Sequence, residues 1–308
     1  MFQFRKFIPV ILLIPGLMLS GTLNAQQPDF SQVRITTHKV RDNIYMLEGL
    51  GGNIGLFVGT DGAFLIDDQF APLTDRIVAA IRKITDKPIR FLVNTHIHGD
   101  HVGGNENLSR MGALIFAHKN VRKRLSEGPA DLRTGGQAPP AARQALPIVT
   151  FDDGVEFHIN GDLVHVFPVP PAHTDGDTFI HFTRANVLHL GDVFRTNTYP
   201  IIDVGNGGTF NGIIEGINMA IDLSDNETRI IPGHGVVTDK KMLIRVRDMY
   251  LDIRNQVLEL IGAGRSLEEV LATRPTADYD ERWEPKEGPS FGTAERFITA
   301  LYNELKQP

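Results

Sequence analysis

The chain has 308 residues, and its 31 Lys and Arg against 37 Asp and Glu give a formal charge of −6. A hydrophobic share of 42% excludes a disordered chain and is typical of a globular protein with one large domain or two small ones. The acidic balance argues against nucleic acid as a partner, and the absence of Cys excludes disulfides, thiolate nucleophiles and Cys-ligated metals, so any metal must be bound by His, Asp or Glu.

The first 25 residues are typical of a secretory signal peptide. Arg5 and Lys6 precede an apolar run over residues 7–19, and Ala25 ends a suitable cleavage signal. We therefore predict a periplasmic or secreted protein that keeps no stable membrane anchor after cleavage. An uncleaved anchor is the alternative.

In chain order, the remaining sequence alternates strand and helix patterns. Asp61-Gly62 and Asn160-Gly161 each predict a hairpin between two apolar runs. Strands are predicted from short apolar runs at 54–58, 63–66, 91–93, 113–116, 155–159, 163–167, 179–182, 187–190 and 229–231. Helices are predicted from apolar residues at helical spacing over 73–84, 210–221, 243–260 and 297–305. Residues 128–147, rich in Pro, Gly and Ala, are predicted to form a long loop, and the mixture indicates a layered α/β protein.

Three histidines and one aspartate lie within six positions, at His96, His98, Asp100 and His101. They follow a predicted strand, and His96 and His98 point the same way if the backbone stays extended. We predict a glycine turn at Gly99 that directs Asp100 and His101 to a second point nearby. This spacing suits two metal ions a few ångströms apart. The alternative is a His-rich surface loop.

Three further candidate ligands, His173, Asp192 and His234, each follow the end of a predicted strand. Loops at strand ends are where layered α/β proteins build their sites. A single His or Asp in a turn is usually structural, but four occurrences of one arrangement favour a common site. The other histidines are predicted to be structural, and His158 is expected on a sheet face.

The ordered set His96-x-His98-x-Asp100-His101, His173, Asp192 and His234 resembles the metallo-β-lactamase superfamily of metal-dependent hydrolases. The resemblance spans residues 33–237 and implies a four-layer αββα sandwich. Residues 238–308 would then be a C-terminal helical extension packed on it.

The resemblance also implies a role for each ligand. His96, His98 and His173 would bind one metal, and a second metal would be bound by Asp100, His101 and His234. Asp192 would bridge the two, as in the glyoxalase II, lactonase and RNase Z branches. True metallo-β-lactamases usually lack this Asp, and their best-known group uses a Cys ligand that this chain cannot supply.

Nitrogen and oxygen ligands suit zinc best, at two ions per chain, and they are also compatible with iron or manganese. Two such ions would share a water and lower its pKa towards neutrality, giving a hydroxide that attacks the substrate. Asp100 is the candidate catalytic residue, since it would lie within reach of that water and could orient it or take its proton.

Substrate contacts are predicted in the segment after Asp192, from Arg195, Tyr199 and Asn206, and Gly51-Gly52-Asn53 is predicted as a mobile flap. The leading function is hydrolysis of a small ester, thioester, lactone or lactam, with a small molecule as the partner and no nucleic acid. The alternatives are a β-lactamase proper, a phosphodiesterase on the same site, and a non-catalytic zinc-binding protein. The sequence indicates no oligomeric state.

Overall fold

The computed structural model describes residues 29–286 and 291–307. The predicted signal peptide at 1–25 lies outside the described residues. Within the described ranges, no helix combines the length and the apolar character that a membrane span needs.

The first sheet has seven strands that lie side by side in chain order. Its first four strands pair antiparallel, and the strands from the fourth to the seventh pair parallel. The predicted hairpin at Asp61-Gly62 is confirmed, with Gly62 at a φ of +125°. The strands are β1 (Thr36–Arg41), β2 (Ile44–Glu48), β3 (Ile54–Gly59), β4 (Gly62–Ile66), β5 (Ile89–Val93), β6 (Leu114–His118) and β7 (Val149–Phe151).

The second sheet has five strands, all antiparallel except for one parallel pair formed by its last two strands in chain order. The predicted hairpin at Asn160-Gly161 is confirmed, because both residues have positive φ, as a two-residue type I′ turn requires. The strands are β8 (Val155–Ile159), β9 (Asp162–Pro168), β10 (Thr178–Phe182), β11 (Val187–His189) and β12 (Arg229–Ile231).

The predicted helices are present, and several short helices occur that the apolar spacing did not predict. Ser266 and Glu269 form a capping box at the start of one of these short helices, with both of its hydrogen bonds formed. The helices are α1 (Thr74–Arg82), α2 (Gly99–Val102), α3 (Asn105–Arg110), α4 (Lys119–Glu127), α5 (Phe210–Leu223), α6 (Lys240–Gly262), α7 (Leu267–Thr273), α8 (Asp280–Trp283) and α9 (Ala294–Leu305).

Apolar side chains place these elements in four layers. Between the sheets, the Phe64 ring lies 4.9 Å from the ring of Phe157. Outside the first sheet, Ile77 of α1 packs in one buried cluster with Leu65. Outside the second sheet, α5, α6 and α9 share a buried cluster with strands β9 to β12. The helix, sheet, sheet, helix order confirms the αββα prediction, while the boundary at 237/238 stays a prediction.

The site lies where strands of both sheets end. β4 and β5 are parallel, as are β11 and β12, so the carboxyl ends of each pair meet at one edge of their sheet. The two sheets are joined there, because the Thr178 N–H donates to the carbonyl oxygen of Thr95 at 2.9 Å. Candidate ligands follow β5, β9, β11 and β12 at this common edge.

Candidate metal centre

The segment after β5 changes conformation within a few residues. His98 is extended, with φ −69° and ψ 145°, and α2 begins directly after it. The His98 carbonyl oxygen accepts the N–H groups of His101 and Val102, at 2.9 and 3.1 Å. The predicted glycine turn was therefore wrong in detail, because Gly99 starts a single helical turn. That turn carries Asp100 and His101.

The structure brings the seven predicted ligands together, six of them in two groups of three and Asp192 between these groups. In each group the candidate ligand atoms lie within 4.8 Å of one another and could hold a metal ion. The first group is His96, His98 and His173, and the second is Asp100, His101 and His234.

Asp192 lies between the two groups. Its Oδ1 is 3.3 Å from His101 Nε2 and 3.5 Å from His234 Nε2, both in the second group. Its Oδ2 is 3.7 Å from His173 Nε2 in the first group. Oδ1 is buried and makes no hydrogen bond within the described part of the chain, so it is available to a cation.

Hydrogen bonds fix the proton of His96 on Nδ1, the ring nitrogen that faces away from the other ligands of the first group. The Thr95 hydroxyl donates to Asp67 Oδ2 at 2.7 Å, and its oxygen therefore accepts from His96 Nδ1 at 2.9 Å. The Nε2 of His96 is left with a lone pair. It is buried and has no hydrogen-bond partner among the described residues, which is the condition of a metal ligand.

Three other imidazoles are oriented in the same way. The His101 Nδ1 proton goes to Asp67 Oδ2 at 2.7 Å, and that of His173 Nδ1 goes to the Ile201 carbonyl oxygen at 2.7 Å. In His98 the two ring nitrogens exchange these roles, because its Nε2 donates to Asp203 Oδ2 at 2.8 Å and its Nδ1 faces the site. In each ring the opposite nitrogen keeps its lone pair for the site.

The lone pairs of His98 and His173 face one another at short range, with His98 Nδ1 2.8 Å from His173 Nε2. Two nitrogen lone pairs at such a distance require a proton or a cation between them. In the second group, His101 Nε2 lies 3.3 Å from His234 Nε2. A metal ion would satisfy the His98–His173 pair and the unpaired His96 Nε2 together, so the residues present fit a metal centre.

The electrostatics of the site agree with this donor set. Burial lowers the pKa of His173 to about 3, and burial also holds the pKa of His96 well below its usual value. Both rings are therefore neutral at ordinary pH, which is the form that binds metal. Burial alone would lower the pKa of His101, but the carboxylates of Asp100, Asp192 and Asp67 raise it well above its usual value, so this position attracts positive charge.

The glycine segment predicted as a mobile flap is held against the site instead. The Gly52 N–H donates to the Asp100 carbonyl oxygen at 3.1 Å, and the Asn53 N–H donates to that of Gly233 at 2.7 Å. A Cβ atom at position 52 would lie 2.1 Å from His101 Cε1, so only glycine fits there. These contacts close one side of the metal centre.

The three predicted substrate contacts are engaged within the protein. Arg195 is 7% exposed, and its Nη1 donates to Asp192 Oδ2 at 2.6 Å. Tyr199 is fully buried, and its hydroxyl donates to Asp280 Oδ1 at 2.9 Å, on the side of the C-terminal helices. The Asn206 amide is also fully buried, and it donates to Asp203 Oδ2 at 2.6 Å. These placements do not support the predicted substrate contacts.

Two carboxylates that support the centre were missed by the sequence interpretation. Asp67 holds His101 directly and His96 through Thr95, while Asp203 holds His98. Asp67 follows the end of β4, so the strand-end signal that found the ligands could have found it too. Asp203 follows no strand, and its role depends on a contact between residues 105 positions apart.

Comparisons with known proteins identify the family of the chain. A family model described as the metallo-beta-lactamase superfamily matches residues 47–234. A hydroxyacylglutathione hydrolase from Pelagibacter ubique is 25% identical over 205 residues, which cover 65% of this chain and 74% of that protein. The alkyl/aryl-sulfatase BDS1 from Saccharomyces cerevisiae is 22% identical over 313 residues, which cover 86% of this chain and 48% of that protein.

Solved structures show the same fold. The inverting sec-alkylsulfatase Pisa1 from Pseudomonas sp. matches with a TM-score of 0.62 and 17% identity, over 87% of this chain and 50% of that chain. The DIM-1 metallo-beta-lactamase matches with a TM-score of 0.56 and 19% identity, over 71% of this chain and 98% of that chain. The chain spans about half the length of the alkylsulfatases that it matches. Because the family model covers more than half of the sequence, the chain belongs to the metallo-beta-lactamase superfamily of hydrolases.

Proposed function

We propose that this protein is a two-metal hydrolase. His96, His98 and His173 would hold one ion, the second would be held by Asp100, His101 and His234, and Asp192 would be shared. The observation that supports this most strongly is the set of imidazole nitrogens that face one another while their far nitrogens donate elsewhere. Five imidazoles and two carboxylates favour zinc, and iron or manganese is compatible with the same donors.

When bound, such ions would supply Lewis acidity, activating a water and polarising the bond to be cleaved. We assign the proton transfer from this water to Asp100. Its side chain is 28% exposed, whereas that of Asp192 is 3% exposed, so Asp100 reaches solvent from within the ligand set. Its Oδ2 lies 3.2 Å from His234 Nε2, and the carboxylate can orient a water or accept its proton.

The charges beside the centre indicate a substrate without a carboxylate. Arg195 is buried against Asp192, and Arg124 forms a two-point ion pair with Asp175, at 2.7 and 2.6 Å. Neither guanidinium is placed to clamp the carboxylate that a β-lactam carries. The proposal is therefore hydrolysis of a small uncharged ester, thioester or lactone, with poor turnover of β-lactams.

Alkyl sulfate esters are a second candidate. The match to the Pisa1 sec-alkylsulfatase extends over 87% of this chain, whereas the match to the DIM-1 metallo-beta-lactamase covers 71%. The chain spans about half of the length of those sulfatases, so this likeness supports cleavage of a sulfate ester less directly than the site geometry supports hydrolysis.

We also propose that the protein acts outside the cytoplasm, in the periplasm or secreted, because its first 25 residues have the signal-peptide pattern. Fractionation of cells that express the full chain, followed by N-terminal sequencing, tests this. Recovery of the uncleaved chain from the cytoplasm would contradict it.

Metal content and turnover test the main proposal together. We expect two zinc ions per chain by elemental analysis, turnover of an ester, thioester or lactone, and loss of that turnover with a chelator. Metal binding should also raise the melting temperature, since the ligands are brought together only in the folded chain. A value near one ion that zinc addition does not change would refute the two-metal centre. Full metal content with no turnover on any panel, including alkyl sulfates, would favour a zinc-binding protein.

A further inference from the structure

A hairpin over residues 130–137 follows α4, and two side chains hold its base. Ala130 and Gln137 pair in an antiparallel bridge that closes the hairpin. Gln137 Nε2 donates to the Gly128 carbonyl oxygen at 2.8 Å, while Asn206 binds the Ala130 backbone from outside the hairpin. Arg133 lies near the tip, with 70% of its side chain exposed. Asn206 is thus an anchor of this hairpin that comes from a distant part of the chain.

The Asn206 amide uses both its donor and its acceptor groups, and the residue is fully buried. Its oxygen accepts the Ala130 N–H at 3.0 Å and Arg124 Nη1 at 3.3 Å. Its nitrogen donates to the Ala130 carbonyl oxygen at 2.9 Å and to Asp203 Oδ2 at 2.6 Å. A carboxylate of the same shape could accept but not donate, so it would leave two buried acceptors without a partner.

The same Asp203 oxygen also serves the metal centre. Asp203 Oδ2 accepts the Nε2 proton of His98 at 2.8 Å in addition to the Asn206 amide. The Asp203 side chain has no exposed surface, so water does not replace a donor that moves away. Three hydrogen-bonded contacts in series, from His98 to Asp203, to Asn206 and to Ala130, therefore join a candidate metal ligand to the base of the hairpin.

We propose that Asn206 is a positioning residue that couples the hairpin 130–137 to metal binding at His98. The inference rests on the proposed metal centre and adds a conformational link to it. The facing lone pairs of His98 and His173 repel each other unless a cation separates them, so bound metal favours the ring orientation that holds Asp203. The coupling is reciprocal, because an anchored hairpin then raises the affinity for metal by the same factor by which metal favours the anchored hairpin.

Trypsin cleavage after Arg133 measures how firmly the hairpin is held. In the wild type we expect saturating zinc to slow this cleavage at least ~5-fold relative to metal-depleted protein, the lower end of typical couplings between sites. Cleavage after Arg265 is the internal control, because this residue lies between α6 and α7 with 55% of its side chain exposed. Mass spectrometry of the fragments separates the two bonds. Equal slowing of both cleavages would mean that zinc stabilises the whole fold and would refute the coupling.

Substitutions at position 206 locate the link. Asn206→Ala should remove the effect of zinc on cleavage after Arg133 and lower zinc affinity at least ~5-fold, measured by competition with a chromogenic chelator. Asn206→Asp keeps the shape of the side chain but sets a second carboxylate beside Asp203, so it should lose the coupling as well. Full coupling in Asn206→Asp would show that the residue acts by packing alone and would refute its assigned role. The comparison of wild-type rates stands even if neither variant folds.

Gln137→Ala is the matched control, because it releases the base of the hairpin without touching Asp203. Cleavage after Arg133 should become faster both with and without zinc, and the ratio of the two rates should stay at the wild-type value. A ratio that falls to one in Gln137→Ala would contradict a coupling that runs through Asn206.

The outcomes separate this inference from the proposed metal centre. Calorimetry that detects no zinc binding to the wild type would refute the metal centre and the coupling with it. Zinc binding without slower cleavage after Arg133, or slower cleavage that Asn206→Ala retains, would refute the coupling and keep the metal centre.

Discussion

Arg195 donates from Nη1 to Asp192 Oδ2 at 2.6 Å, and both side chains are buried. The guanidinium therefore pairs with the carboxylate at the middle of the candidate metal centre. Burial alone would raise the pKa of Asp192, but the charges of His234 and Arg195 hold it well below its usual value. The pair keeps Asp192 ionised and fixes which of its oxygens faces the second ligand group.

Replacement of Arg195 should act through Asp192 and not through the substrate. We predict that Arg195→Ala lowers kcat/KM by the same factor for a neutral ester and for a β-lactam, and destabilises the protein by ~3 kcal/mol, as expected when a buried ion pair loses one partner. Steady-state kinetics with both substrates and urea denaturation measure this. A loss confined to the β-lactam would show that Arg195 binds the substrate carboxylate.

Replacement of Asp192 should remove a ligand of both ions. We predict that Asp192→Ala loses more than ~100-fold in turnover, which exceeds the usual effect of an outer-shell residue, and binds at least one metal more weakly. His158→Ala is the control, because His158 lies exposed on β8 and should change neither quantity. Equal losses in both variants would contradict the assignment.

Asp203 should control the ligand geometry of His98. We predict that Asp203→Ala lowers metal affinity by ~10–100-fold, because His98 loses the acceptor that fixes its Nε2 proton. The metal affinity of Asp203→Asn should lie between that of the wild type and that of Asp203→Ala, since the amide oxygen of Asn can still accept the Nε2 proton of His98. Competition with a chromogenic zinc chelator measures the affinity. Unchanged affinity in Asp203→Ala would mean that His98 is oriented by packing alone.

The buried His189 should make stability depend on pH. It is fully buried, with Nε2 donating to the Asn53 carbonyl oxygen, and burial lowers its pKa to about 4. The unfolded chain takes up this proton near pH 6.5 and the folded chain only near pH 4. Its contribution to the free energy of unfolding should therefore fall by ~3 kcal/mol as the pH decreases through this window.

Urea denaturation of metal-depleted protein between pH 4 and 7 tests the effect of His189. His189→Gln should flatten the pH dependence relative to the wild type, and His158→Gln should not. Identical slopes for His189→Gln and the wild type would show that His189 does not titrate with the expected shift.

The sequence by itself determined the features that depend on short-range chemistry. The turns at Asn160-Gly161 and Asp61-Gly62 need residues that tolerate positive φ, and the capping box at Ser266 needs a partner three residues on. The seven candidate ligands could be selected before any fold is known, because the residue types His and Asp and their spacing single them out. The αββα layering followed from the resemblance that those ligands carry.

Only the tertiary structure decided how the side chains around the centre are directed. Tyr199 and Arg195 follow Asp192 closely in sequence, yet Tyr199 turns towards Asp280 and Arg195 turns back to Asp192. Asp67 and Asp203 support the centre through contacts 34 and 105 positions away, with His101 and His98. Such pairings depend on which loops meet where the strands of the two sheets end, and a buried polar group takes the partner that the fold brings to it. No local pattern of residues contains that information.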